Sequence, residues 1–176
     1  MISEKMSRRT FLHGGAALAA GGLAPGAAWA RGSYRLRMDN AHTGESFNHV
    51  IVENGRWVRE ALAEFDWFAR DWREGETYPM SQDTLEALLR IQLMLETSRP
   101  FTLLSGYRTL TTNQKLPGAV RNSLHLRGMA LDITHPDRSV SQISRAAMRL
   151  RAGGVGRYPR NNFVHIDSGR VRTWVS

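Results

Sequence analysis

The segment Arg121–Thr134 reads RNSLHLRGMALDIT. From Gly128 onward it alternates. Met129, Leu131 and Ile133 point one way, and Ala130 and Asp132 the other. That period of two predicts a strand with one apolar face. Asp132 is out of place there, because a carboxylate among apolar neighbours is costly to bury without a partner. Two kinds of partner suit it. One is a cation of the chain, Arg127 or another arginine. The other is a metal ion shared with His125, which lies in the loop leading into the strand.

A second strand is predicted over Asn162–Asp167. Phe163 and Val164 begin it, and His165 and Asp167 share one of its faces. Two histidines and a carboxylate form the ligand set of many catalytic zinc sites, with the fourth position open to water. Spacing alone does not decide between this set and ordinary structural pairing.

Outward from these strands the pattern is mixed. Tyr34–Met38 and Ser46–Val52 read as a hairpin, closed by Glu53-Asn54-Gly55. His42 and His49, in or beside it, read as surface residues. Val58–Glu74 reads as a helix whose apolar face is Ala61, Leu62, Phe65, Phe68, Ala69 and Trp72. Ser81 caps a second helix reaching about Glu96, with Leu85, Leu88, Leu89, Leu93 and Met94 inward. Phe101–Ser105 is a short strand, and Gly106–Arg127 reads as irregular. A third helix runs from Ser139 or Ser141 to about Arg151, ended by Gly153-Gly154. His135, beside Pro136, reads as an exposed turn residue and not a ligand. The order β-β-α-α-β-loop-β-α-β implies an α+β domain with a small antiparallel sheet and flanking helices.

The first thirty residues read differently. Ser7-Arg8-Arg9-Thr10-Phe11-Leu12 is followed by a Gly/Ala-rich run and by Ala28-Trp29-Ala30. Paired arginines, a weakly apolar stretch and an A-x-A site predict a Tat-type signal peptide over 1–30, with the periplasm as destination. The run is too short and too glycine-rich for a transmembrane anchor. Residues 31–176 are then a single domain, large enough for a real core. The whole chain carries 24 Lys+Arg against 16 Asp+Glu and no cysteine. Without thiolates, a metal must be held by histidine and carboxylate. The basic balance favours an anionic partner. Export excludes nucleic acid, and leaves the cell wall or a peripheral contact with anionic lipid.

Ser123-Leu-His125-Leu-Arg-Gly128-Met-Ala130-Leu-Asp132 resembles the S-x-H-x-x-G-x-A-x-D motif of the D-Ala-D-Ala metallopeptidase superfamily, which has hedgehog domains as fold relatives. Ser105-Gly106-Tyr107-Arg108 resembles that superfamily's S-G-Y-R segment. Gly153-Gly154-Val155-Gly156-Arg157-Tyr158-Pro159 and Asn162-Phe163-Val164-His165-Ile166-Asp167 are similar to its YcbK-like branch, the murein endopeptidase K family. The resemblance covers nearly all of the chain after the leader.

It implies a zinc peptidase fold in which His125, Asp132 and His165 hold Zn2+. Arg108 then faces the substrate carbonyl, and Ser123 binds substrate or orients His125. Many superfamily members place a carboxylate base three residues before the last histidine. Here that position is Asn162, which can hydrogen-bond substrate or water but cannot take a proton. Asp167 is the nearest carboxylate on the same strand face. It is expected as base or water-orienting group, or else as a partner that holds the His165 ring.

The activity implied is hydrolysis of peptide cross-links of peptidoglycan by metal-activated water, with stem peptides as the partner. The alternative is an exported zinc-containing module that binds peptidoglycan without cleaving it. The loop Leu110–Arg121 looks shorter than usual for the superfamily, which places altered substrate specificity there.

Overall fold

The structure is a computed structural model that describes residues 32–176. The leader and its Ala28-Trp29-Ala30 site lie outside the described residues. Among the described residues, eight strands form one sheet in the order β3-β2-β1-β4-β5-β7-β6-β8. They are β1 Ser33–Asn40, β2 Ser46–Glu53, β3 Arg56–Trp57, β4 Phe101–Ser105, β5 Ala130–Thr134, β6 Gly154–Tyr158, β7 Phe163–Asp167 and β8 Arg172–Val175. The helices are α1 Arg59–Phe68, α2 Gln82–Met94, α3 Leu110–Lys115 and α4 Val140–Leu150.

The class is α+β, as the element order implied, but the sheet is larger than expected and mixed. β1 runs parallel to β4, and β6 parallel to β8. Both of those pairings join strands distant in the chain, which local periodicity cannot reveal. β6 and β8 were not legible as strands. In β6 two of five residues are glycine, and β8 is only four residues long.

One face of the central strands is the core. Leu131 and Ile133 of β5 and Val164 and Ile166 of β7 are buried there with Leu36, Met38, Phe65, Leu88 and Ile143. α4 packs on β6 and β7 from this side. Its start is a capping box: Gln142 N–H donates to Ser139 Oγ, and Ser139 N–H donates to Gln142 Oε1. Such a cap stabilises a helix start by about 1 kcal/mol.

Three helix expectations shift. α1 stops at Phe68, not Glu74, because the chain turns to form a bridge between Asp71 and Glu76. Trp72 thereby leaves the core and stacks on His42 at the surface. Leu93 and Met94 lie outward at the end of α2. α4 ends at Leu150, as expected to within a residue, but the residue that stops it is Arg151 at φ 50° and not Gly153-Gly154.

Those two glycines serve the sheet. A Cβ on Gly153 would come within 1.7 Å of the Asp167 carbonyl oxygen. The irregular stretch Gly106–Arg127 holds α3 and a 3-10 turn over Leu124–Arg127. His135 is not exposed but buried, its ring between Thr97 Oγ1 at 2.8 Å and the Asp137 N–H at 3.0 Å.

Candidate metal centre

The opposite face of β5 and β7 carries the polar groups. Asp132 on β5 pairs directly with His165 on the antiparallel β7, and directly opposed residues share a face. His125 reaches the same point from the 3-10 turn. Ser123 caps that turn and accepts from the His125 N–H at 3.4 Å. Gly128 ends it at φ 63°, which lets the chain reverse into β5.

His125, Asp132 and His165 each offer one ligand atom, and these atoms lie within 4.8 Å of one another. Asp132 Oδ1 is 2.8 Å from His165 Nδ1, and Asp132 Oδ2 is 3.3 Å from His125 Nε2. The outer ring nitrogens are both engaged. His125 Nδ1 lies 2.6 Å from the Gly106 carbonyl, and His165 Nε2 lies 3.0 Å from Asp167 Oδ2. A proton on each outer nitrogen leaves a lone pair on His125 Nε2 and on His165 Nδ1, both aimed at Asp132.

Electrostatics agree with that arrangement at His125 and Asp132; at His165 burial is outweighed by the hydrogen bonds to Asp132 and Asp167, which raise the ring above its ordinary value, so a metal ion has to displace a proton there. Burial pushes the His125 ring below its ordinary value, against the pull of Asp132. Burial works to raise Asp132, but His125 and His165 outweigh it and hold the carboxyl well below the usual range. A neutral histidine beside an ionised carboxylate is what a divalent cation requires of its ligands. The residues present therefore fit a metal ion.

Arg108 also meets Asp132: its Nη2 donates to Asp132 Oδ2, and its Nε donates to Ser105 Oγ at 2.7 Å. The arginine foreseen for Asp132 is thus Arg108 and not Arg127, and the histidines that would share a metal ion with Asp132 stand beside it. The cluster opens into a cleft lined by Arg108, Leu116–Val120, Asn122, Ser123, Tyr158, Phe163, Arg172 and Trp174. Leu116–Val120 belong to the loop where altered specificity was expected. Trp174 lies across Gly156, where a Cβ would come within 2.5 Å of its ring. Its Nε1–H donates to Tyr158 Oη at 3.0 Å.

The geometry speaks against a substrate-binding role for Asn162 and a base role for Asp167, and favours the other reading of Asp167, as the partner that holds the His165 ring. Asn162 is exposed in the turn before β7 at φ 54°, and is not among the cleft-lining residues. It serves as a turn residue, a conformation asparagine tolerates. Asp167 has a fully buried side chain and is not among the cleft-lining residues. Its Oδ1 accepts from Gly154 N–H, Gly169 N–H and Arg172 Nη1, and its Oδ2 accepts from Arg172 Nη2 at 2.7 Å and meets His165 Nε2. A carboxylate so saturated has no oxygen to offer a reacting water. The hydrogen bonds with His165 and with Arg172, which sequence reasoning missed, outweigh burial and hold the carboxyl below the usual range. Arg172 sits on β8, itself illegible as a strand.

Residues 28–174 match the family model described as peptidoglycan L,D-endopeptidase MepK. The chain belongs to that family. Residues 5–25 match the model of the twin-arginine translocation signal sequence. The peptidoglycan L,D-endopeptidase MepK of Escherichia coli (strain K12) is 39% identical over 143 residues, covering 79% of each chain. The Shigella flexneri protein of the same name matches to the same extent. The probable peptidoglycan L,D-endopeptidase MepK of Haemophilus influenzae is 31% identical over 144 residues, covering 79% of this chain and 77% of that one. Family membership and the His-Asp-His cluster together make this chain a metallopeptidase of the VanX-like superfamily, exported by the Tat route to the periplasm.

Proposed function

We propose that the chain is a zinc peptidase that hydrolyses cross-links between peptidoglycan stem peptides, and that its bond is of the L,D type named for its relatives. The observation that carries this reading is the convergence of His125, Asp132 and His165 at the floor of an open cleft. His125 Nε2, His165 Nδ1 and an Asp132 oxygen would hold the ion. Two nitrogens and one oxygen with a side open to solvent suit catalytic zinc. Zinc, when bound, supplies a Lewis acid that polarises the peptide carbonyl and makes water nucleophilic near neutral pH.

The chain's own groups do the rest. Arg108 exchanges its bond to Asp132 for the oxygen of the scissile carbonyl and holds it as negative charge develops. Asp167 and the Gly106 carbonyl keep the two imidazole rings in the required tautomer. Asp132 is the sole carboxylate among the cleft-lining residues, but as a ligand held well below the usual carboxylate range it is a poor base, so the proton of the attacking water passes to bulk solvent through the open cleft. Ser123 fixes His125 by capping its turn.

Purified sacculi incubated with the zinc-loaded protein test the reading. Cross-linked muropeptides should fall and their monomers rise, and a chelator should stop this until zinc is restored. Sacculi left unchanged by protein that holds zinc would favour the non-cleaving binding module instead. Mass spectrometry of the products identifies the bond.

A further inference from the structure

Asp71 is a carboxylate that the chemistry above does not use. It is 2% exposed and lies in the turn after α1. No lysine or arginine pairs with it among the described ion pairs. Instead its Oδ2 accepts from the Thr109 N–H at 2.9 Å and from Thr109 Oγ1 at 3.0 Å, and its Oδ1 accepts from the Arg73 N–H at 3.1 Å. Burying a charge this way is expensive, and hydrogen bonds from fixed donors are what make it tolerable.

The segment that Asp71 grips is the one that carries Arg108. Gly106 packs so closely on Ala69 that a Cβ would come within 2.3 Å of the Ala69 carbonyl oxygen. Tyr107 N–H donates to that same carbonyl at 2.8 Å. Thr109 is bound twice to Asp71. Between these points Arg108 N–H donates to the His125 carbonyl at 3.2 Å. The turn after α1 is therefore a template on which Gly106, Tyr107 and Thr109 are fastened in succession. Arg108 has no backbone freedom left with which to choose its direction.

We propose that Asp71 is a positioning residue, which acts through Thr109 to aim the Arg108 guanidinium at the reacting carbonyl. The proposal rests on the role assigned to Arg108 above. An arginine that must stabilise a developing charge loses effect steeply with displacement, since errors of about 1 Å cost up to roughly a hundredfold in rate.

A double-mutant cycle on a soluble cross-linked muropeptide dimer tests it, with zinc content and thermal stability measured for every variant. Asp71→Asn and the milder Thr109→Val should lower kcat by about ten- to a hundredfold. KM and bound zinc should be little changed. In an Arg108→Ala background the same changes should have no further effect on kcat, because the group they aim is gone. If their effects instead multiply with that of Arg108→Ala, Asp71 acts elsewhere and the inference fails while the role of Arg108 stands. If Arg108→Ala itself leaves kcat unchanged, the role of Arg108 fails first and the inference with it. Thr109→Val retains the backbone donor, so it reports on the clamp even where Asp71→Asn does not fold.

Discussion

His165 and Asp167 lie two residues apart on β7 and meet ring to carboxylate, Nε2 to Oδ2 at 3.0 Å, on the side of the imidazole turned away from Asp132. A residue spacing of two puts both on one face of the strand, so proximity follows from the pleat. What the pleat does not provide is the Arg172 fork behind Asp167, which fixes the carboxylate and through it the ring.

Asp167→Asn should therefore weaken zinc binding by about 10- to 100-fold, as loss of a histidine's outer partner does. Competition with a chromophoric chelator measures this. A variant that binds zinc like the parent but has lost all turnover would reinstate Asp167 as the proton acceptor.

Arg108→Ala should keep its zinc and lose about 100- to 1000-fold in kcat, the range seen when a charge-stabilising donor is removed. Arg108→Lys should recover only part of this, since one ammonium cannot serve Ser105 and the carbonyl with the same fork. Steady-state kinetics on a muropeptide dimer, beside metal analysis, separate the two effects.

Gly156→Ala should displace Trp174 and cost about 1–3 kcal/mol, because the added methyl falls where the indole lies. Urea unfolding gives the cost, and tryptophan fluorescence shows whether the ring has moved. Adding Trp174→Ala to Gly156→Ala should return part of the lost stability by clearing the clash.

His135 sets a pH dependence of stability. Burial, above all, holds its folded value below the ordinary 6.5. Below pH 6.5 the unfolded chain takes up a proton that the folded chain resists, so stability falls as pH drops from 6.5 toward the folded value. Above 6.5 the contribution is complete. His135→Gln should lose less unfolding free energy than the parent between about pH 7.5 and about pH 5.5. Equal losses in the two proteins would show that His135 does not carry the effect.

Much of this was legible along the chain. Alternation placed β5 and β7 and set Asp132 and His165 each on the polar face of its strand. Local periodicity also found the cores of α1, α2 and α4, since each buries one stripe of a regular helix. It erred where a neighbour distant in sequence decides. Trp72 fits the apolar spacing of α1, but the chain leaves the helix at Phe68 to build the turn that carries Asp71. Gly153 and Gly154 resemble a helix stop, yet their lack of side chains answers to Asp167 and Arg172.

The sequence by itself determined the residue types of the site, the leader that precedes it and the family to which both belong. These rest on side-chain chemistry and short-range spacing. Only the tertiary structure decided what each group faces. It buried Asp167 between His165 and Arg172, left Asn162 in a turn and buried Asp71 against the segment that carries Arg108. The reason is physical. A strand's period states which residues share a face, while the choice among partners on that face depends on which strands and loops pack beside it. Those pairings, β6 with β8 and the α1 turn with Gly106–Thr109, join parts of the chain that carry no local mark of each other.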